Sequence, residues 1–362
     1  IERKNRFYVV AYDGLDPLTG KERRRWHPAG RDRHDAEQLA ARIERDAAGS
    51  APQRGGPIHL GEFLTDTWLP IKRRHVRATT SYRYSWMVDN YVNPSIGHVP
   101  LRRLRADHLD GLYDQLSTTG RRDGAVLAPK TVHEVHAIVR SSLDLAMRRQ
   151  LVDANVAHAT NARHKRPTRK VPRSWIAAEL ATCLAAARPQ RLYPALHLAA
   201  YTGMRRGEVA GLKWSDLDRV NKRLSISRTI QSIAGQPVEF PVKTCTSRRC
   251  IDLDDETMDV LARWRCRLNR DGLPHDADDW MFVNPAGRFV NPESISQLFH
   301  RIQRGRPDLT RIRFHDLRHT HASLLIMDGV PVKVVSERLG HANVAFTMHT
   351  YQHLLPGMSA AA

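Results

Sequence analysis

The sequence has 362 residues, and its 57 Lys and Arg residues against 38 Asp and Glu give a formal net charge of +19 at pH 7. Hydrophobic residues make up 41% of the chain, which is enough to form packed cores and excludes a broadly disordered protein. No run of about 18 apolar residues is present, and Ile1 begins a charged stretch instead of a signal peptide, so we expect no membrane segment and a cytoplasmic protein.

The positive charge is distributed over the whole chain. The excess of basic over acidic residues is +3 in residues 1–56 (12 against 9), +9 in 57–171 (19 against 10) and +7 in 172–362 (26 against 19). A basic excess of this size favours a polyanionic partner, and arginine in particular forms bidentate contacts with phosphate. Because the charge is not concentrated in one tail, we expect several folded parts to contact nucleic acid.

The first predicted unit covers residues 1–56. Residues 6–12 are rich in β-branched and aromatic residues and predict a strand, and 21–27 predict a second extended segment after two turn signals. Residues 35–48 predict an amphipathic helix, so the unit is a small ββ(β)α domain followed by a flexible linker at 49–57. Five arginines surround the second segment and the turn after it: Arg23, Arg24, Arg25, Arg31 and Arg33.

The second predicted unit, residues 57–165, is helical. Apolar residues follow a helical period in four segments: 63–72, 79–92, 106–115 and 130–149. Residues 120–129 contain two glycines and a proline and predict a loop. A basic, proline-bearing stretch at 161–173 follows, and we assign its residues 166–173 to a linker between domains.

The third predicted unit, residues 174–362, alternates helices with strands. Its predicted helices are 176–187, 193–201, one that starts near Arg206, 255–270, 291–304, 314–327, 331–338 and 343–354. Its predicted strands are 223–230, 237–242 and 249–253. The whole chain is therefore predicted to be a multidomain protein, mainly α with small β-sheets (α+β).

Familiar nucleotide and metal motifs are not supported by the sequence. The stretch 14–21 has the wrong spacing for a phosphate-binding loop, and Glu22 stands where that loop requires Ser or Thr. His315 and His319 have the spacing of two helical zinc ligands, but Asp316 replaces the glutamate of that motif. The four cysteines form neither a disulfide framework nor a zinc site, so we expect free thiols, no metal and no cofactor.

The C-terminal region contains the groups needed to cleave a phosphodiester without a metal. These are an oxygen nucleophile, cations for the non-bridging oxygens and an acid for the leaving 5′ oxygen. The segment TGMRRGE places Arg205 at the start of a predicted helix, where the helix N-terminus also favours anions. In FHDLRHTHASLL, His315 and Arg318 lie on one face of a helix. His341 follows in LGH, and Tyr351 lies ten residues later on the next predicted helix.

Residues 172–355 resemble the catalytic domain of the tyrosine recombinase (phage integrase) family. The family pattern is a first Arg, a β-hairpin Lys, a His-x-x-Arg, a His or Trp, and a Tyr, in that order. It matches TGMRRGE at Arg205, PVKTCTSRRCIDL at Lys243, HDLRHTHASLL at His315 and Arg318, and LGHANVAFTMHTY at His341 and Tyr351. The resemblance covers about half of the chain well and the upstream regions more loosely.

The resemblance implies a tyrosine-based, metal-independent and ATP-independent strand exchange. Arg205 and Arg318 would clamp the scissile phosphate and stabilise its pentavalent transition state. Tyr351 would attack phosphorus and form a 3′-phosphotyrosine, which keeps the bond energy needed for resealing. His319 lies on the same predicted helix face as His315, either as a core histidine or as a residue that supports the site.

The remaining matched residues receive proton-transfer and hydrogen-bonding roles from the same resemblance. Lys243 would protonate the departing 5′ hydroxyl, His315 would assist as acid or base, and His341 would hydrogen-bond the phosphate. Glu208 and Asp316 are expected to be structural and to orient the basic residues.

The upstream units also resemble parts of this family. Residues 57–165 resemble the helical core-binding domain, which forms a C-shaped clamp on duplex DNA together with the catalytic domain. Residues 1–48 resemble the arm-type DNA-binding domain of phage and mobile-element integrases. The resemblance implies an integrase that recombines double-stranded DNA attachment sites as a tetramer, with an excision factor and a DNA-bending host protein as possible partners.

Three alternatives remain open from the sequence. The first is a resolvase- or invertase-type tyrosine recombinase, and the second is a DNA-binding regulator without catalysis. The third is a type IB topoisomerase, which relaxes supercoils without a defined site. The N-terminal unit argues against the first and third, and the complete set of catalytic residue types argues against the second.

Overall fold

The computed structural model describes residues 2–3, 6–15, 22–30, 32–48, 57–120, 125–160, 173–241, 248–341 and 343–351. Most of these residues are helical, and the strands form three small antiparallel sheets. This is the mainly α architecture with small sheets that the sequence predicts. In the described part of the chain, no helix combines the length and the apolar character needed to cross a bilayer.

The N-terminal unit pairs three strands and one helix: β1 (Glu2–Arg3), β2 (Arg6–Leu15), β3 (Glu22–Pro28) and α1 (Arg33–Ala48). The strands are antiparallel in the order β1-β2-β3. Tyr8 and Trp26 contact each other edge to face across β2 and β3, with ring centroids 6.1 Å apart. Aromatic cross-strand pairs of this kind stabilise a small sheet. The first short strand is an addition to the predicted pair.

The helical unit consists of two long, locally π-helical rods and two regular helices. The first rod contains α2 (Leu60–Glu62), a π-helical segment (Phe63–Trp68) and α3 (Leu69–Arg73). The second contains α4 (Ala78–Met87), a π-helical segment (Val88–Val92) and α5 (Asn93–Ile96). The regular helices are α6 (Ala106–Thr119) and α7 (Pro129–Arg148). One apolar core joins them, and its largest side chains include Phe63, Trp68, Met87, Tyr113 and Leu143.

The C-terminal unit has its own core, which is separate from that of the helical unit. Its helices are α8 (Ala177–Ala187), α9 (Tyr193–Thr202), α10 (Arg206–Ala210), α11 (Asp255–Arg270), α12 (Pro292–Arg304), α13 (Asp316–Met327), α14 (Val332–Leu339) and α15 (Val344–Tyr351). Its strands are β4 (Leu217–Asp218), β5 (Arg223–Ile226), β6 (Arg228–Ile233), β7 (Gln236–Pro241) and β8 (Arg249–Asp252).

The single strand predicted at 223–230 is wrong, because the chain changes sheets within it. β5 pairs with β4 and β8, whereas β6 pairs with β7 in a separate two-stranded ribbon. The side chains of Leu224, Ile226 and Ile230 are all buried. Their period-2 alternation continues across the change of sheet, so the sequence pattern alone cannot reveal that the pairing partner changes.

Several sequence predictions lie outside the described residues. They are the linker at 49–57 except its last residue, the linker at 166–173 except its last residue, the segment 242–247 that contains Lys243, and the chain after Tyr351. The side chains of Arg23, Arg24 and Arg25 are likewise outside the description, although their backbone belongs to β3.

Candidate active site

A glycine in the turn between α9 and α10 brings two parts of the site together. Gly203 has a φ of +64°, and a Cβ at this position would lie 2.6 Å from Cδ2 of Leu339 and 2.8 Å from Cδ2 of His321. Only glycine fits both the left-handed backbone and the available space. Two residues later, Arg205 is the N-cap residue of α10 and lies close enough for its charge to act on Arg318.

Glu208 is a buried carboxylate that holds two arginines. It accepts hydrogen bonds from the backbone N–H and from Nη1 of Arg205, at 2.9 and 2.7 Å, and from Nη2 of Arg249 at 2.9 Å. Burial alone would raise the pKa of Glu208, but the hydrogen bond and charge of Arg249, with the charge of Arg205, hold that pKa below its ordinary value. The ionised carboxylate therefore orients the guanidinium of Arg205, the role that the sequence predicts for Glu208.

Arg249 ties strand β8 to two helices of the site. Its side chain is 6% exposed, and Nε donates a hydrogen bond of 2.8 Å to the carbonyl of Arg338 in α14. Together with the contact to Glu208, this one side chain connects β8, α10 and α14. Arg249 is not among the site residues predicted from the sequence. A signal was present, because Arg249 shares a strand face with the buried Ile251, and an arginine on a buried face requires a polar partner.

Arg318 is fixed by two backbone carbonyls. Nη1 donates to the carbonyl of Gly203 at 2.9 Å, and Nη2 donates to that of Leu339 at 2.5 Å. Burial, together with the charge of Arg205, lowers the pKa of Arg318 to about 9, so the guanidinium still carries its charge at neutral pH. Because both of these partners are neutral carbonyls, the charge remains available to an anion in the site.

His341 is oriented by the helix that carries the predicted nucleophile. Gly340 ends α14 with a φ of +67°, and His341 follows it. Nδ1 of His341 lies 2.7 Å from Oγ1 of Thr347, which donates a hydrogen bond of 3.1 Å to Ser336. Burial and the charges of the two site arginines lower the pKa of His341 to about 3, so the ring is neutral. Thr347 lies one helical turn before Tyr351, so one helix positions both site residues.

Tyr351 lies at the end of α15 and is 2% exposed. Its ring packs in a small separate core formed by Ala322, Ile326, Val335 and Leu339. Its hydroxyl lies 2.6 Å from Nδ1 of His319 in α13. Burial raises the pKa of Tyr351 to about 12, although the charge of Arg318 acts in the opposite direction. The hydroxyl is therefore neutral and hydrogen-bonded at neutral pH.

His315 and Arg205 face an open cleft between the helical and C-terminal units. The cleft has a volume of about 1020 Å³. Its walls include Thr79, Tyr82, Arg83 and Trp86 from α4, and Arg205, Arg206, His300, Arg313 and His315 from the C-terminal unit. Although the ring of His315 faces the open cleft, desolvation by the cleft walls and the charges of Arg318 and Arg205 lower its pKa.

Five of the six predicted site residues thus lie close enough together for the charge of Arg318 to act on the other four; the five are Arg205, His315, Arg318, His341 and Tyr351. The sixth, Lys243, lies outside the described residues. Asp316, which was expected to be structural and to orient basic residues, pairs with Arg313, whose Nη2 lies 2.7 Å from Oδ1. Within the described ranges, no group of three or more His, Cys, Asp or Glu residues could hold a metal ion.

The pocket combines fixed positive charge with a neutral nucleophile. The guanidinium groups of Arg205 and Arg318 are held by hydrogen bonds, and the neighbouring histidines are neutral. The positive charge of the site therefore comes from these arginines, and a bound phosphodiester would neutralise it. Preorganised donors of this kind stabilise the extra negative charge that develops when a phosphate is attacked. A tyrosine hydroxyl next to such a pocket is suited to transesterification at phosphorus.

The sequence matches the phage integrase family over residues 176–357, which is half of the chain. The chain belongs to the phage integrase family. It is a tyrosine-type site-specific recombinase, an enzyme that catalyses DNA strand exchange, and this agrees with the resemblance seen in the sequence motifs.

Three integrases are similar to this chain, one by sequence and two by the fold of their solved structures. It is 25% identical to the ICEBs1 integrase of Bacillus subtilis (strain 168), with 95% of this chain and 92% of that protein covered. The Tn1549 transposon integrase in complex with a circular intermediate DNA has a TM-score of 0.67 at 17% identity, covering 81% of this chain and 95% of that one.

The third relative is lambda integrase. Its dimer bound to a COC′ core site matches with a TM-score of 0.60 at 20% identity, and 96% of this chain and 95% of that chain are covered. A lambda integrase tetramer bound to a Holliday junction matches with the same TM-score of 0.60 at 19% identity, covering 96% and 94%. The recombinase therefore has a lambda-integrase-like multidomain fold, with a small N-terminal sheet, a helical domain and the domain that carries the site.

Proposed function

We propose that this recombinase integrates and excises a mobile DNA element by cutting and rejoining DNA at specific attachment sites through a 3′-phosphotyrosyl intermediate. The observation that carries the proposal is the buried hydroxyl of Tyr351, held beside the charged pocket of Arg205 and Arg318. Integrases of an integrative element, a transposon and a phage are among its relatives.

The chemical step assigns one task to each residue. The Tyr351 oxygen attacks the scissile phosphorus while the bond from phosphorus to the 5′ oxygen breaks. Arg205 and Arg318 neutralise the non-bridging oxygens, where charge develops. Lys243 delivers a proton to the departing 5′ oxygen, the role that the family pattern gives it. The energy of the broken bond is kept in the phosphotyrosine, so the 5′ hydroxyl of a second strand can reseal the junction without ATP.

The cleft between the helical and C-terminal units is the proposed path of core-site DNA. Arg83 and Arg206 line its opposite walls, together with the exposed aromatic side chains of Tyr82 and Trp86. The guanidinium groups would contact the phosphate backbone, and such contacts fix the protein's register on a duplex. We assign 57–165 to the core-binding domain and 174–362 to the catalytic domain, with the linker 166–173 between them.

The N-terminal sheet is the proposed reader of a second DNA segment. Trp26 is 42% exposed on β3, and the backbone of Arg24 and Arg25 lies in the same strand. A small sheet fits a major groove, where arginines recognise phosphates and guanine edges. The domain covers 1–56 with its linker, so one protomer can hold an arm site and a core site at once.

We also propose that four protomers assemble on two attachment sites and exchange strands in pairs. The proposal draws on the lambda integrase tetramer bound to a Holliday junction. An excision factor and a DNA-bending host protein are the further partners proposed from the family resemblance. We place the protein at the nucleoid in the cytoplasm, where its chromosomal substrate lies.

Strand cleavage in excess EDTA and without any nucleotide tests the proposed function. With a suicide substrate that carries a nick near the scissile phosphate, the wild-type protein should form a covalent DNA adduct at an unchanged rate, because guanidinium groups take the place of a metal. The measurement is the time course of the shifted protein band on a denaturing gel. Loss of cleavage in EDTA that one divalent ion restores would contradict the proposal.

Removal of the N-terminal unit should separate arm binding from chemistry. A truncated protein of residues 57–362 should cleave an isolated core site at a rate within about twofold of the full chain, because the pocket lies entirely in the remaining domains. It should lose binding to distal repeats and integrative recombination, since the tether that raises the effective concentration of the second segment is gone. Full integration by the truncated protein would favour the resolvase- or invertase-type alternative.

A further inference from the structure

The hydroxyl of Tyr351 has one close neighbour that the family pattern does not use. Nδ1 of His319 lies 2.6 Å from this oxygen, and the two rings are 5.9 Å apart. His319 is the fourth residue after His315, and the two imidazoles meet edge to face at 5.7 Å. His319 therefore lies between His315, the histidine of the family pattern, and the hydroxyl of Tyr351.

The attack by Tyr351 requires a proton acceptor. Burial raises the pKa of the hydroxyl to about 12, so the tyrosine is protonated at neutral pH and must lose its proton as the bond to phosphorus forms. A base must lie within hydrogen-bond reach of that oxygen, a distance of about 2.6–3.2 Å. In the described part of the chain, the hydrogen bond of this hydroxyl goes to His319.

His319 is in the protonation state that a base needs. Burial, reinforced by the neighbouring His315, lowers the pKa of His319 to about 4, so the ring is neutral at neutral pH. The charged and titratable groups that face it are His315, Asp316 and Arg318 of its own segment, Arg313 before it, His341 after α14 and Tyr351 on α15. A neutral ring with its proton on Nε2 presents a lone pair at Nδ1 to the hydroxyl.

The other two histidines of the pocket are directed elsewhere. Nδ1 of His341 lies against the hydroxyl of Thr347. His315 opens on the cleft beside Arg205, where the phosphate would bind.

We propose that His319 is the general base that takes the proton of Tyr351 during strand cleavage and returns it during strand rejoining. The inference rests on the proposed recombinase chemistry, and it gives His319 the base role for which the family resemblance would suggest His315. In cleavage, the bond from the Tyr351 oxygen to phosphorus forms, the bond to the 5′ oxygen breaks, and the tyrosine proton passes to Nδ1. In rejoining, the 5′ hydroxyl of the incoming strand attacks the phosphotyrosine and gives its proton to Lys243, the acid of the cleavage step. The bond from phosphorus to that 5′ oxygen forms, the bond from phosphorus to the Tyr351 oxygen breaks, and Nδ1 returns the proton to the tyrosine oxygen.

Two substrates distinguish a variant that lacks the general base from one that lacks the general acid. One is the ordinary nicked suicide substrate, and the other has sulfur in place of the scissile 5′ bridging oxygen. A thiolate leaves without protonation, so the sulfur substrate restores cleavage to a variant that lacks the general acid but not to one that lacks the base. His319→Asn is the informative variant, because its amide can occupy the hydrogen-bonding position near Nδ1 yet cannot accept a proton.

The variant should form the covalent adduct about 10²- to 10³-fold more slowly than the wild type on both substrates, within the range typical of a lost general base. The wild-type rate should fall toward acid pH as His319 becomes protonated, and the variant should lack this fall. His349→Asn, an exposed histidine on the same helix as Tyr351, is the matched control and should cleave at the wild-type rate.

A second variant distinguishes a lost base from a misfolded protein, because only a folded protein can be rescued by an added base. His319→Ala should regain adduct formation when imidazole is added, because the free base fills the space that the missing ring leaves next to the hydroxyl. Cleavage by His319→Asn at the wild-type rate would overturn the inference, as would its full recovery on the sulfur substrate. Absence of any adduct with the wild-type protein on either substrate would instead contradict the proposed function itself.

Discussion

Replacement of Arg318 by lysine should lower the rate of strand cleavage by about 10²- to 10³-fold, the usual cost of losing one preorganised transition-state donor. Arg318 is 4% exposed, and its guanidinium is held by two backbone carbonyls, that of Gly203 in the turn after α9 and that of Leu339 at the end of α14. Its remaining N–H groups can then contact a phosphate in a fixed plane. An ammonium group keeps the charge but cannot bond two carbonyls and a phosphate in that geometry.

The measurement is the single-turnover rate of adduct formation, with DNA binding and thermal unfolding followed in parallel. Arg270→Lys is the matched control, because Arg270 is 76% exposed at the end of α11, and this variant should retain the wild-type rate. Cleavage by Arg318→Lys within about threefold of wild type, in a folded protein, would contradict the clamp.

Replacement of Tyr351 by phenylalanine should abolish the covalent adduct while leaving DNA binding within about twofold of the wild type. The phenyl ring keeps the packing of the small core around Ile326 and Leu339 and removes the hydroxyl alone. The lost hydrogen bond to His319 should destabilise the fold by about 1 kcal/mol. DNA affinity should persist because it comes from many dispersed phosphate contacts.

Tyr193→Phe is the matched control, because it also removes a tyrosine hydroxyl that contacts a histidine. The hydroxyl of Tyr193 lies 3.3 Å from Nδ1 of His197, and both residues belong to α9 and are not among the predicted site residues. This variant should form the adduct at the wild-type rate. An undiminished adduct in Tyr351→Phe would show that another nucleophile cuts the DNA.

The sequence predicted most helices because their apolar residues follow the helical period. In α7, for example, Val132, Val135, Val139 and Leu143 all point into one core and are buried. Pairing between strands is not encoded in this way. The alternation of Leu224, Ile226 and Ile230 reads as one strand, whereas the chain divides it between two sheets. Local patterns therefore locate elements but do not determine which strands pair.

The composition of the pocket could be predicted, but its contacts could not. The order of the motifs identified five residues that the structure brings together, among them Arg205 and Tyr351. The contacts that set their properties join distant parts of the chain. Arg249 reaches Glu208 across 41 residues, and His319 reaches Tyr351 across 32. Such contacts depend on how β8, α10, α13 and α15 pack together, which no local period reveals.

The central claim is that Tyr351 carries the DNA in the cleavage intermediate, and peptide mapping of the trapped adduct tests it most directly. The wild-type protein is reacted with a suicide substrate, the DNA is digested to a single nucleotide, and the protein is cut with trypsin. Tyr351 is one of nine tyrosines, and it is the single tyrosine of the segment 339–362 that follows the trypsin site at Arg338. We predict a nucleotide mass on that peptide, with fragmentation placing it on Tyr351. A nucleotide on any other residue would contradict the account.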